Sequence, residues 1–232
     1  MHEPTPPPPH ATVDAARVWD LPTRIFHWSL VALILLQYAT GEFGLLSMQW
    51  HYLFGYATLA LIVFRVLWGF LGSDTSRFAH FVRSPLAVFH YARALVGGEA
   101  RREAGHNPLG GWSVLLMLAL VSLQAVSGLF TTDDVTEEGP LVARVSDATI
   151  TLMTSIHHLG RYLLLALIAL HVGAVVMHWV VRRENLVSPM LDGRAPLEVA
   201  QPLRFVPAWR ALGLLLLSAA SIWALVAWGE AA

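Results

Sequence analysis

The 232-residue chain contains no cysteine. Disulfides, thiolate-held iron–sulfur clusters and the C-x-x-C-H attachment of c-type haem are therefore excluded. Lysine is missing too, so all 15 basic residues are arginine. Charge of either sign is scarce: charged residues make up 13% of the chain, against about 25% in an average soluble protein. The net charge of −1 is uninformative as a total, and nucleic acid is not an expected partner. What remains is largely apolar, at 56% of residues, with 11 histidines as the main candidates for metal ligation. Six methionines are available as well, but methionine is more often packing.

The apolar residues fall into five runs of membrane-spanning length, about 20 residues each. They cover roughly 22–42, 51–71, 109–130, 151–181 and 209–229. The expected fold is all-α: an integral membrane helical bundle, with a four-helix core and a fifth transmembrane helix. Three regions are expected: a disordered proline-rich tail (1–16), the four-helix domain (17–194), and a linker with the C-terminal span (195–232). The tail lacks the basic-then-apolar pattern of a cleaved signal peptide. Asp20 and Pro22 provide a cap and first turn for the first helix. Between the second and third spans, Ser84-Pro85-Leu86 opens a short amphipathic helix suited to the membrane surface.

Arginine placement orients the bundle. If the spans alternate, 12 of the 15 arginines fall on one side, in the amino-terminal segment, the connection after the second span and that after the fourth. The other side has only Arg144, among Asp133, Asp134, Glu137, Glu138 and Asp147. The positive-inside rule makes the arginine-rich side, with the amino terminus, cytoplasmic. A bacterial inner membrane protein with membrane lipid as its surroundings is the expectation.

Ligating side chains inside spans are costly and point to function. His157 and His171 on the fourth span are 14 residues apart. At about 100° per residue that is within ~40° of four full turns, so both share one face, about 21 Å apart along the axis. One helix thus offers two ligands, one near each membrane surface. His51 opens the second span at the outer depth, and His27 lies just inside the first at the cytoplasmic depth. The pairing His51 with His157 (outer) and His27 with His171 (inner) fits two haem b groups, each ligated by histidines from facing helices. Two rivals stand on the same helix. His158 is about 100° off the stripe, and His178 would lie ~31 Å from His157, nearly the whole apolar core. His171 is favoured over His178. His80 and His90 read as interfacial, and His2 and His10 as solvated. Haem propionates need cations: Arg65, 14 residues after His51, and Arg24, three before His27, suit the inner haem. Arg161, one turn after His157, suits the outer one.

The stretches V-W-D-L-P-T-R-I-F-H-W (18–28), H-Y-L-F-G-Y (51–56), F-R-V-L-W-G (64–69), G-H-N-P-L-G-G (105–111) and His157…His171-Val172-Gly173 resemble the bacterial cytochrome b561 family, in the branch of nickel-hydrogenase cytochrome b subunits. The resemblance runs from residue 18 to about 194. It implies haem b ligation by His27, His51, His157 and His171, and electron transfer between a membrane quinone pool and a redox partner. Where the family often has an acidic residue after the first histidine of the fourth helix, this chain has His158, which keeps His158 open as a ligand. The fifth helix lies outside the smallest family members.

A quinone needs a polar notch beside one haem. Asn107, at the inner depth, is a candidate, with His106 as a proton carrier given an ordinary pKa near neutrality. A plain helix-start role for Asn107-Pro108 weighs equally. The redox partner is expected to be a hydrogenase or dehydrogenase subunit or, given the acidic outer face, a basic soluble cytochrome c. The alternative is a self-contained oxidoreductase such as a superoxide:quinone oxidoreductase, which calls for a cationic outer funnel. A transporter or scaffold without cofactor would show no haem absorbance.

Overall fold

A computed structural model describes residues 15–100, 103–133, 137–196 and 202–231. The tail through residue 14, with His2 and His10, lies outside them, as do Arg101, Arg102 and Asp134. The chain forms an all-α membrane helical bundle. Its elements run β1 (Ala16–Arg17), α1 (Leu21–Gly41), α2 (Met48–Leu71), α3 (Phe78–Phe81), α4 (Pro85–Val96), α5 (Pro108–Gly128), α6 (Asp147–Val181), α7 (Val187–Asp192), β2 (Arg194–Ala195) and α8 (Ala208–Glu230).

Among the described residues, α2, α5, α6 and α8 are each long and apolar enough to cross a membrane. The remaining expected span, α1, has the same 21 residues as α5. Arg24, His27 and Gln37 make it less apolar than the other four. The amphipathic helix expected after Ser84 is α4, and the Ser84 hydroxyl caps it by accepting from the Ala87 N–H.

The packing centres on α2, against which α1, α5 and α8 all lie, while α6 packs mainly on α5. Phe26, Leu30, Phe64, Trp68, Leu118 and Val121 form the principal cluster. A second cluster joins Leu59 and Ala60 of α2 to Ile222 and Val226 of α8, so the fifth helix belongs to the same bundle. Lipid is as apolar as these side chains, so close packing and buried hydrogen bonds must hold the helices together. The end of the bundle that carries Asp20 illustrates this. Fully buried Asp20 caps α1 through Thr23 N (2.8 Å) and also accepts from Trp68 Nε1 (3.1 Å) and Ser76 Oγ (3.3 Å). The last two tie the start of α1 to the end of α2 and to the loop that follows it. Nearby, β1 and β2 pair antiparallel, which fastens the segment after α6 against the start of α1. The loop carboxylate of Asp74 accepts from the Arg204 N–H (2.8 Å), and that bond holds it below the usual carboxylate range.

Candidate haem-ligating site

The antiparallel return of α2 beside α1, and of α6 beside α5, brings four histidines together as two pairs. His51 and His157 have ring centres 6.3 Å apart; His27 and His171 have theirs 6.5 Å apart. A metal–imidazole bond is about 2 Å and a ring centre lies roughly 1 Å behind its nitrogen, so two imidazoles on one metal stand about 6 Å apart. Both pairs meet that spacing. The alternatives do not form such pairs. His158 has its ring 6.4 Å from its own neighbour His157, and it lines the outer cavity without an opposing imidazole. His178 is buried against Glu184, with Nδ1 3.0 Å from the carboxylate.

At the outer pair, the unused ring nitrogens are fixed. His51 Nδ1 faces the Gln37 carbonyl (3.2 Å) and the Thr40 hydroxyl (3.1 Å). His157 Nδ1 faces the Gln124 carbonyl (2.9 Å) and the Ser127 hydroxyl (3.3 Å). Bonds of this kind hold Nδ1 as the N–H and leave Nε2 available as a donor to a metal. A cavity lined by both rings opens here, with Gln37, Gly55, Gln124 and Leu164 among its walls.

The inner pair is held differently. His27 Nδ1 is buried without a partner, and His171 is exposed on α6. Arg65 lies at this end, 2% exposed, with its guanidinium over Phe78 and Phe81 and one buried terminal nitrogen unpartnered. A buried cation with a free donor fits a carboxylate such as a haem propionate. Arg24 donates to the Leu191 carbonyl, tying α1 to the end of α7, while its buried Nε is unpartnered. Arg161, expected at an outer propionate, already pairs with Glu42 (2.6 Å) and donates to the Tyr162 hydroxyl (2.7 Å).

Asn107 caps α5: its side-chain oxygen accepts from the Gly110 N–H (2.8 Å). The helix-start role is therefore real, and any contact to a quinone would fall to its amide nitrogen. His106 corrects one expectation. Its ring lies between Trp19 (4.7 Å) and Phe81 (4.8 Å), and burial there, with Arg65 nearby, pushes its pKa down to about 3. It is neutral at physiological pH and does not carry protons in the way an ordinary histidine would.

The four imidazoles singled out in the sequence lie in two pairs, but what holds His51 and His157 was not anticipated. Gln37, Thr40, Gln124 and Ser127 read as ordinary polar residues of two apolar helices, and only a repeated spacing between them was available as a signal.

Comparison with known proteins gives a consistent result. The chain is similar to proteins named probable Ni/Fe-hydrogenase B-type cytochrome subunits. That of Rhizobium leguminosarum bv. viciae is 23% identical over 208 residues, covering 76% of this chain and 87% of the relative. That of Bradyrhizobium diazoefficiens is 24% identical over 212 residues, covering 76% and 84%. That of Cupriavidus necator is 22% identical over 215 residues, covering 78% and 87%. No solved structure matches the chain. The family model for prokaryotic cytochrome b561 matches residues 18–193, a stretch that holds all four paired histidines. The chain belongs to the prokaryotic cytochrome b561 family, whose members are membrane cytochromes carrying haem b.

Proposed function

We propose that the chain is a membrane electron relay with two haem b groups, the outer held by His51 and His157 and the inner by His27 and His171. The observation that carries this reading is the pair of imidazole–imidazole spacings, 6.3 and 6.5 Å, at two depths of one bundle. When bound, haem iron exchanges single electrons. Two histidines committed to each iron would leave no position for oxygen or substrate, which favours relay over chemistry at the metal. Arg65 is the residue best suited to an inner propionate, and Arg24 can contribute its free Nε. Arg161 would serve the outer haem by sharing its charge with Glu42.

The relay is proposed to connect a quinone, near Asn107 at the cytoplasmic end, with a redox partner at the outer face, and the amino terminus is proposed to be cytoplasmic. The names of the similar proteins make a hydrogenase subunit the leading partner. A dehydrogenase subunit or a soluble cytochrome c is compatible with the acidic outer loops. The superoxide:quinone alternative gains no support, because the arginine lining the outer cavity is already neutralised by Glu42.

A reduced-minus-oxidised spectrum with haem quantification on the purified full chain tests the core of the reading. Two b haems per chain are expected, falling to one in His51→Ala and to one, spectrally different, in His27→Ala. A single haem in the parent that persists in His51→Ala would refute the outer site.

A further inference from the structure

Both imidazoles of the outer pair are gripped by the same five-residue pattern. The last turn of α1 reads Gln37-Tyr38-Ala39-Thr40-Gly41, and that of α5 reads Gln124-Ala125-Val126-Ser127-Gly128. Each is Gln-x-x-hydroxyl-Gly, and each faces a histidine of the next membrane-spanning helix. The glutamine contributes its backbone carbonyl to the Nδ1–H, at 3.2 Å for His51 and 2.9 Å for His157. The hydroxyl three residues on stands against that same carbonyl: Ser127 donates to it at 3.0 Å, while Thr40 lies 3.1 Å from it and also donates to the Leu36 carbonyl at 2.8 Å. Its oxygen then lies 3.1 or 3.3 Å from the same Nδ1. The closing glycine lets the ring in: a Cβ at Gly41 would stand 2.8 Å from His51 Cε1, and one at Gly128 would stand 2.9 Å from His157 Cε1.

Hydroxyls that bond back one turn are frequent in membrane helices. Thr58, Ser122 and Ser218 do so here as well. What sets Thr40 and Ser127 apart is the imidazole nitrogen on their other side; they are buried, as Thr58 and Ser218 are. Their position in a final helical turn adds a second effect. Carbonyls there carry the negative end of the helix dipole, which favours positive charge close by.

We propose that the two pentapeptides are a duplicated positioning device that fixes the tautomer of both outer ligands and lowers the potential of the haem between them. Acceptors at Nδ1–H make an imidazole a more basic ligand, and a more basic ligand favours ferric iron. Two such clasps act on one iron, each from the negative end of a helix. Thr40, Gly41, Ser127 and Gly128 are positioning residues: they act through His51 and His157. The inference rests on the outer ligation proposed above.

The test uses the full-length chain with Thr40→Val, Ser127→Ala, the double variant and the conservative Ser127→Thr. Redox titration and low-temperature electron paramagnetic resonance of the ferric haems provide the readouts. Two haems per chain are expected to remain in each. In the double variant one haem's potential should rise by up to a tenfold change in its one-electron equilibrium, about 59 mV. Its ferric signal should move with it, while the other haem stays put and Ser127→Thr restores the parent values. Gly128→Ala, which drives a methyl group into the His157 ring, should reduce the content to one haem. Parent-like potentials in the double variant would overturn the proposal, as would equal shifts of both haems. Should Gly128→Ala fail to accumulate, the hydroxyl variants decide the matter. Retention of both haems in His51→Ala and His157→Ala would instead refute the ligation reading, so the two failures are distinguishable.

Discussion

The outer and inner histidine pairs have nearly the same ring spacing, yet the protein builds them from different materials. The outer pair hangs on neutral hydrogen bonds from two helix ends: carbonyl and hydroxyl oxygens hold both Nδ1 atoms in place. The inner pair has no such clasp on His27, whose Nδ1 is buried and unpartnered, and His171 stands exposed. Charge gathers there instead, with the unpaired nitrogens of Arg65 and Arg24 beside a buried imidazole, His106. The outer site is thus organised before any cofactor arrives. The inner site keeps buried donors on Arg65 and Arg24 that an anionic ligand would satisfy.

Arg65 offers the largest effect with which to break this comparison. If its free nitrogen holds an inner propionate, Arg65→Met removes a charge-assisted hydrogen bond worth about 1.5–3 kcal/mol, roughly 10- to 150-fold in affinity for the inner haem. The outer haem should be retained. In haem-free protein the sign reverses: a buried, unpaired cation is costly, so the same variant should melt higher than the parent. Haem content and thermal melts of both forms check the two arms. Full inner haem content with an unchanged potential would show that charge does not organise the inner site.

Asn107 gives an intermediate effect and separates two roles of one side chain. Asn107→Ala deletes the cap of α5, at a cost of about 1 kcal/mol in stability. Asn107→Asp keeps an oxygen for the Gly110 N–H and loses only the amide donor. If a quinone binds here, Asn107→Asp should slow quinone reduction with the cap and both haem spectra intact. Asn107→Leu should lose both functions. Parent-like quinone kinetics in Asn107→Leu would confine the residue to its capping role.

The backbone of this architecture was legible in the sequence because membrane physics leaves few options. Apolar runs marked the helices to within a few residues, and the 14-residue interval on α6 put His157 and His171 on one face. Asp20-Leu21-Pro22 and Ser84-Pro85 read correctly as helix starts. The supporting atoms were much less legible. The groups that hold His51 and His157 are backbone carbonyls, which no side-chain motif announces, and Thr40 and Ser127 look like any small residue in an apolar helix. The partner of Arg161 was hidden for a related reason: Glu42 lies just past the end of α1, 119 residues away in sequence. His106 misled because an imidazole's titration depends on what covers it, and Trp19 and Phe81 arrive from distant parts of the chain.

His106 also supplies the smallest expected effect, and its sign follows from burial. With a folded pKa of about 3 against 6.5 when unfolded, the unfolded chain binds the extra proton between those values. Stability from this group is therefore complete above about pH 6.5 and falls as the medium is acidified towards pH 3. His106→Gln, which cannot titrate, should flatten that acid limb. Between pH 7 and 8 the imidazole is neutral in both states, so the variant should leave the pH profile of quinone reduction unchanged there. A loss of that profile's slope in His106→Gln would mean that the ring exchanges protons near neutrality. The inner end would then contain a proton path as well as a binding site for charge, and its contrast with the outer end would be one of function rather than of construction alone.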